Sequence, residues 1–217
     1  MTVHMSEDFR HEENKLRNGA TCRLTSQPLQ HARATYIATD LGSLGMPSIR
    51  TSAFAINDTG QIVGKSVTTT GVTHAFLWSN GSMTDLGTLG GANSYALGIN
   101  SFGQAVGLSD NGGAFYYSGG TMAGLGAGYH YATGINDSRQ IVGQFGIHAF
   151  LNSNGLTTDL GTLPGGSIST ASGRNATGQV VGSSELHGGA AAHAFLYRGT
   201  MSDLGTLGGA NSRSKLR

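Results

Sequence analysis

Three histidines recur with a carboxylate ten or eleven residues behind them: His74 with Asp85, His148 with Asp159, and His193 with Asp203. A His–Asp pair is the positioning half of a nucleophilic triad, and with further ligands it is part of a metal site. The sequence supplies the rest of neither. Gly-x-Ser-x-Gly does not occur, and no His-x-x-x-His pair exists. Cys22 is the only cysteine, which excludes a Cys-based zinc site and an intrachain disulfide. Asp110 and Glu185 stand alone in different parts of the chain, a poor basis for a glycosidase carboxylate pair. Asp58 and Asp137 bring one carboxylate each to a turn, too few to hold calcium tightly. Leu-Gly-Thr-Leu-Gly-Gly lacks the Gly-Lys-Ser/Thr ending of a phosphate loop.

The pairs recur because the chain itself repeats. Asp40-Leu-Gly-Ser-Leu-Gly45, Asp85-Leu-Gly-Thr-Leu-Gly-Gly91, Asp159-Leu-Gly-Thr-Leu-Pro-Gly-Gly166 and Asp203-Leu-Gly-Thr-Leu-Gly-Gly209 share one pattern, with a degenerate copy at Ala123-Gly-Leu-Gly126. Between them recur Ile56-Asn57…Gly64, Ile99-Asn100…Gly107, Ile135-Asn136…Gly143 and Arg174-Asn175…Gly182, each ending in Gln-x-Val-Gly. A third word is His74-Ala-Phe, Gly113-Ala-Phe, His148-Ala-Phe and His193-Ala-Phe. A catalytic site breaks symmetry, whereas folding needs the same residue in every copy, so the repeated His and Asp read first as structural.

Each copy predicts four short antiparallel strands: a, ending in Ile-Asn; b, from Gln-x-Val-Gly; c, the His-Ala-Phe word; and d, running into Asp-Leu-Gly. The a–b turns place Gly60, Gly103 and Gly178 where a positive φ is wanted, and Arg139 in that slot predicts a strained or differently shaped turn. Asn80-Gly81, Gly119-Gly120, Asn154-Gly155 and Arg198-Gly199 are the c–d hairpin turns. In the register about Asn80-Gly81, Phe76 faces Asp85, which makes His74 and Asp85 diagonal neighbours on one face. The copy with Gly113 for His also has Ala123 for Asp. A hydrogen-bonded His–Asp pair packed between sheets is therefore expected in three copies, with the fourth copy shifted by one residue.

Composition agrees. Of 217 residues, 38% are hydrophobic, 12% charged and 36 are glycine, against 3 prolines. A helical bundle is excluded by that much glycine, at roughly 1 kcal/mol for each helical site, and collagen by the lack of a three-residue period. No apolar run approaches a membrane span. Residues 36–208 hold five basic and eight acidic side chains, so nucleic-acid binding has no electrostatic basis. Four antiparallel strands in about 40 residues, repeated, are the signature of a β-propeller blade, and the fold class expected is an all-β, propeller-like array.

The three words resemble those of the bacterial HAF-repeat proteins, described as extracellular repeat proteins and named for the motif at His74, His148 and His193. The resemblance covers roughly residues 36–212 and implies an extracellular or surface location and a β-rich repeat fold; no signal peptide is visible in Met1 to Arg23. The organisation expected is a non-repeat, poorly packed segment over 1–35, repeats over 36–208 opening on a strand d from Tyr36 to Leu44, and the start of a further, truncated repeat over 209–217. The function expected is a non-enzymatic scaffold or binding module for a protein or carbohydrate, without cofactor, able to self-associate through open blade faces. Alternatives are a piece of a propeller hydrolase or lyase whose catalytic residues lie in other blades, and a remnant without function. The b–c loops vary in length, and Lys65, Asp110, Glu185 and His187 in or beside them are the ligand-binding candidates.

Overall fold

The computed structural model describes residues 37–45, 50–189 and 191–214. The segment 1–35 lies outside them. The chain divides into two units, Met1–Thr39 and Asp40–Arg217, and the second holds all the strands described.

Sixteen strands form four antiparallel four-stranded sheets, and no helix occurs among the described residues. The first sheet is β1 (Thr51–Ile56), β2 (Ile62–Val67), β3 (Thr73–Ser79) and β4 (Ser82–Gly87). The second is β5 (Ser94–Ile99), β6 (Ala105–Ser109), β7 (Gly113–Ser118) and β8 (Thr121–Gly124). The third is β9 (Tyr129–Ile135), β10 (Ile141–Phe145), β11 (His148–Ser153) and β12 (Leu156–Asp159). The fourth is β13 (Ser169–Arg174), β14 (Val180–Glu185), β15 (Ala192–Tyr197) and β16 (Met201–Asp203). Spatial order follows chain order within every sheet. Residues 37–45 form no ladder with any described strand, although a strand d is the sequence expectation there.

The turn words explain themselves in hydrogen bonds. Asn57 Oδ1 accepts the Gln61 backbone N–H at 2.9 Å, and Asn100, Asn136 and Asn175 do the same for Gln104, Gln140 and Gln179. The fourth residue of each turn donates its N–H to the backbone carbonyl of that Asn, with φ of 79° at Gly60, 72° at Gly103 and 88° at Gly178. Arg139 adopts φ 55° and makes the same bond at 2.9 Å, so the turn keeps its shape and the arginine takes the strain. Its guanidinium lies over the Tyr116 ring. The turns at Asn80-Gly81, Gly119-Gly120 and Asn154-Gly155 have positive φ at both residues, which matches the strand twist. The fourth hairpin is one residue shorter, yet Phe195 still faces Asp203.

Strands b and c are coupled by sterics. Gly64, Gly107, Gly143 and Gly182 face Phe76, Phe115, Phe150 and Phe195. A Cβ on any of these glycines would stand 1.9–2.1 Å from a carbonyl oxygen of strand a and 2.6–3.0 Å from the facing ring. The bare glycine lets the ring lie flat on the strand, and all four phenylalanines are fully buried. The core sits between sheets rather than within one: one cluster joins Val63 and Ala75 to Ala96 and Phe115, a second joins Val106 and Ala114 to Ala132 and Phe150, and a third joins Val142 and Leu163 to Ala171 and Phe195.

A β-bulge in every strand a adds one residue to its pairing with strand b, leaving Phe54, Leu97, Thr133 and Ser172 unpaired. Bulges re-aim side chains, and these four line one cavity shared by all four sheets.

Candidate functional site

His74 Nδ1 lies 2.8 Å from Asp85 Oδ2, and the matching distances are 2.9 Å for His148–Asp159 and for His193–Asp203. Because a carboxylate only accepts, Nδ1 is the donor in each pair. The pairs are not interior, however. The aspartate side chains are 42%, 57% and 39% exposed, because each sits at the end of a last strand with no further strand beside it. The expectation of a pair packed between sheets is corrected to one at a sheet edge.

Each aspartate does a second task. Asp85 Oδ1 accepts the Gly87 N–H at 2.7 Å, Asp159 that of Gly161 at 2.8 Å, and Asp203 that of Gly205 at 2.7 Å. The carbonyl of that glycine then accepts the hydroxyl of Ser94, Ser169 or Ser212, at the start of the next repeat. That hydroxyl in turn accepts the N–H of Ala75, Ala149 or Ala194, beside the histidine that began the chain of bonds. His, Asp, Gly and Ser thus form one latch that closes a sheet and hands it to its successor. The second sheet lacks all three side chains, having Gly113, Ala123 and His130 in the corresponding places. A Cβ on Gly113 would stand 2.2 Å from the Tyr129 carbonyl, so no histidine fits there. The latch serine is the residue that sequence reasoning missed; it was hidden among the serines of glycine-rich stretches. The partial copy before the first sheet makes the aspartate bond too, Asp40 Oδ1 accepting Gly42 N–H at 2.9 Å, and its Leu44 N–H reaches Ser66 Oγ at 2.9 Å as Leu89 N–H reaches Ser109 Oγ.

This wiring uses the serines on backbone groups, and no hydrogen bond joins a latch serine to a histidine. Among the described residues no group of three or more His, Cys, Asp or Glu is placed to hold a metal ion.

Hydrogen bonds from His148 and the Gly161 N–H outweigh burial, which acts to raise it, and hold the Asp159 carboxyl below the usual range. The Gly205 N–H, then His193, do the same for Asp203. A depressed folded-state value contributes stability above the unfolded value of about 4, and that contribution is lost as pH falls through the lower folded value. Urea midpoints of the wild type are therefore expected to fall more between about pH 5 and pH 3 than those of Asp159→Asn/Asp203→Asn. Equal falls would mean that the latch carboxylates are not held by their hydrogen bonds.

The four ligand-binding candidates each have neighbours of their own. Lys65 lies within β2, with Nζ 5.2 Å from the centre of the Tyr95 ring and 5.9 Å from that of Phe54. Asp110 accepts from Asn93 Nδ2 at 2.7 Å, which ties it to the start of β5. Glu185 ends β14, and His187 packs on Gly165. Lys65 and Asp110 thus belong to the first two sheets, and Glu185 and His187 to the fourth.

The residue that breaks symmetry is Arg174. It takes the place held by Ile56, Ile99 and Ile135 in the other strands a, and these four residues line both of two neighbouring cavities. Only 6% of Arg174 is exposed, and Nε, Nη1 and Nη2 are all buried without a hydrogen-bond partner. Burial pulls the guanidinium down to about 10, so it remains protonated at neutral pH. The signal in the sequence was an arginine where the same word three times has isoleucine. No known family, curated protein or solved structure matches the chain.

Proposed function

We propose that this protein is a non-enzymatic repeat scaffold of the HAF-repeat type, with its sheets arranged as propeller-like blades, and that it works outside the cell by presenting and joining copies of itself. Support for the blades comes from the four strands a lining one cavity and from each sheet packing on the next. The extracellular location rests on the resemblance of the three repeat words. Against an enzymatic role stands the use of the repeated His, Asp and Ser in the latch.

The observation that carries the assembly is a matched pair of open faces. Within the chain, each sheet covers the leucines of the one before it, so Leu86 is 7% exposed, Leu160 6% and Leu163 1%. On the fourth sheet the equivalent Leu204 is 54% exposed and Leu207 fully so. At the other end, Ala96, Ala132 and Ala171 are completely buried against the preceding sheet. Their counterpart Ala53 is exposed, with Phe54 at 46% and Ile56 at 67%. The two faces are the halves of an interface that the chain makes three times internally, and the occupant that fits each is the other end of a second copy. Light scattering on the purified chain is expected to show a mass that rises with concentration. A constant mass equal to one chain over the soluble range would overturn the assembly.

A further inference from the structure

The interface between the second and third sheets departs from the pattern of its neighbours. In three sheets an aromatic residue of strand c faces a methionine of strand d: Trp78 and Met83, Tyr117 and Met122, Tyr197 and Met201. In the third sheet Asn152 faces Thr157 instead. Tyr117 and Met122 pack into the core shared with the first sheet, and Tyr197 and Met201 into the core that joins the third and fourth. Between the second and third sheets the smaller, polar pair leaves a cavity of about 510 Å³, a volume in the range of small-molecule sites. It lies within the chain, independent of the two end faces.

Asn152 Nδ2 donates to Thr157 Oγ1 at 2.9 Å and to the Tyr129 hydroxyl at 3.4 Å, and the two hydroxyls are hydrogen-bonded to each other. The hydroxyls share one proton between them, so the proton of the other is available to an oxygen from outside the trio. Tyr129, Asn152 and Asn154 line the cavity together with Arg139, its one charged residue. Arg139 is exposed, and its guanidinium carbon lies 5.1 Å from the centre of the Tyr116 ring, which lines the same cavity. None of the ion pairs among the described residues includes it. It also holds φ 55° in a slot where the other three turns have glycine, and backbone strain of that kind gathers at ligand sites.

We propose that this cavity binds an acidic sugar, a pyranose carrying a carboxylate, with the carboxylate on the Arg139 guanidinium and the hydroxyls on Asn152, Asn154 and the Tyr129 phenol. A single cation with no acid in the lining calls for a single negative charge, and the planar fork matches a carboxylate. Side-chain amides donate and accept, as sugar hydroxyls do. Leu125 and the Tyr116 ring supply apolar surface for the C–H face of the pyranose.

Calorimetric titration of the full chain with methyl glucuronide and methyl galacturonide tests this. Methyl glucoside, the ring without the charge, and acetate, the charge without the ring, are the comparators. The better uronide is expected to bind at least about tenfold more tightly than either. Arg139→Gly gives this turn the residue of the other three, and is expected to weaken the uronide at least about tenfold with no loss of thermal stability. Asn152→Tyr restores the aromatic residue of the other sheets, and is expected to block the sugar while the circular dichroism of the sheets is unchanged. Glucoside or acetate binding as tightly as the uronide, no binding of either uronide at millimolar concentration, or undiminished uronide binding by Arg139→Gly would each overturn the proposal.

Discussion

Gly143→Ala is expected to destabilise the protein by about 3 kcal/mol or more, the upper end of what overpacking costs, because no flexible group can yield. The added Cβ would stand 2.1 Å from the Tyr131 carbonyl oxygen and 2.8 Å from the Ala132 Cα, both backbone atoms of the paired strand. The Phe150 ring, at 3.0 Å, is the third neighbour and the only one able to move. Phe150→Ala alone should cost about 3–5 kcal/mol through the cavity it leaves. The double variant should show little rescue, since removing the ring leaves the carbonyl clash in place. Gly155→Ala is the control. Its φ is 83° but a Cβ there meets nothing within 4 Å, so only the left-handed strain of about 1–2 kcal/mol applies. Urea unfolding of the four variants checks the ranking; a Gly143→Ala no worse than Gly155→Ala would refute the close approach of strand a to this glycine of strand b.

Arg174→Ile is expected to act in the opposite direction, stabilising the chain by about 1–4 kcal/mol, the range found when buried ionic groups are replaced by apolar ones. Three of the four strands a already carry isoleucine at this place, so the backbone accepts the side chain. The substitution removes three buried nitrogen atoms without partners. Loss of stability on this substitution, measured by thermal or urea unfolding, would mean that the guanidinium is satisfied in solution.

Much of this architecture was legible in the sequence because turn chemistry is local. Asn-Gly and Gly-Gly between apolar runs set the hairpins, and the hairpins set the register that brought His74 to Asp85 and His148 to Asp159. The bulges were not legible: one unpaired residue inside a strand leaves no mark in composition, and Phe54, Leu97, Thr133 and Ser172 share no chemistry. The exposure of the His–Asp pairs was missed because diagonal register says which residues meet but not whether another sheet covers them. The variable b–c loops pointed to Lys65 and His187 by general experience of loops, whereas the unsatisfied polar group lies at the nearly invariant a–b end, at Arg174. There the telling feature was a departure from symmetry rather than variation in length.

The central claim is that the two end faces are complementary halves of the interface repeated inside the chain. Mixing two singly blocked chains tests it most directly. Leu207→Glu places a carboxylate on the outgoing face of the fourth sheet, and Ala53→Glu places one on the incoming face of the first. Each variant alone keeps only one kind of face and is expected to sediment as a single 22.3 kDa chain. Mixed, they are expected to form a species of twice that mass and nothing larger, because one unblocked outgoing face meets one unblocked incoming face. Continued self-association of either variant alone, or no new species on mixing, would contradict the claim.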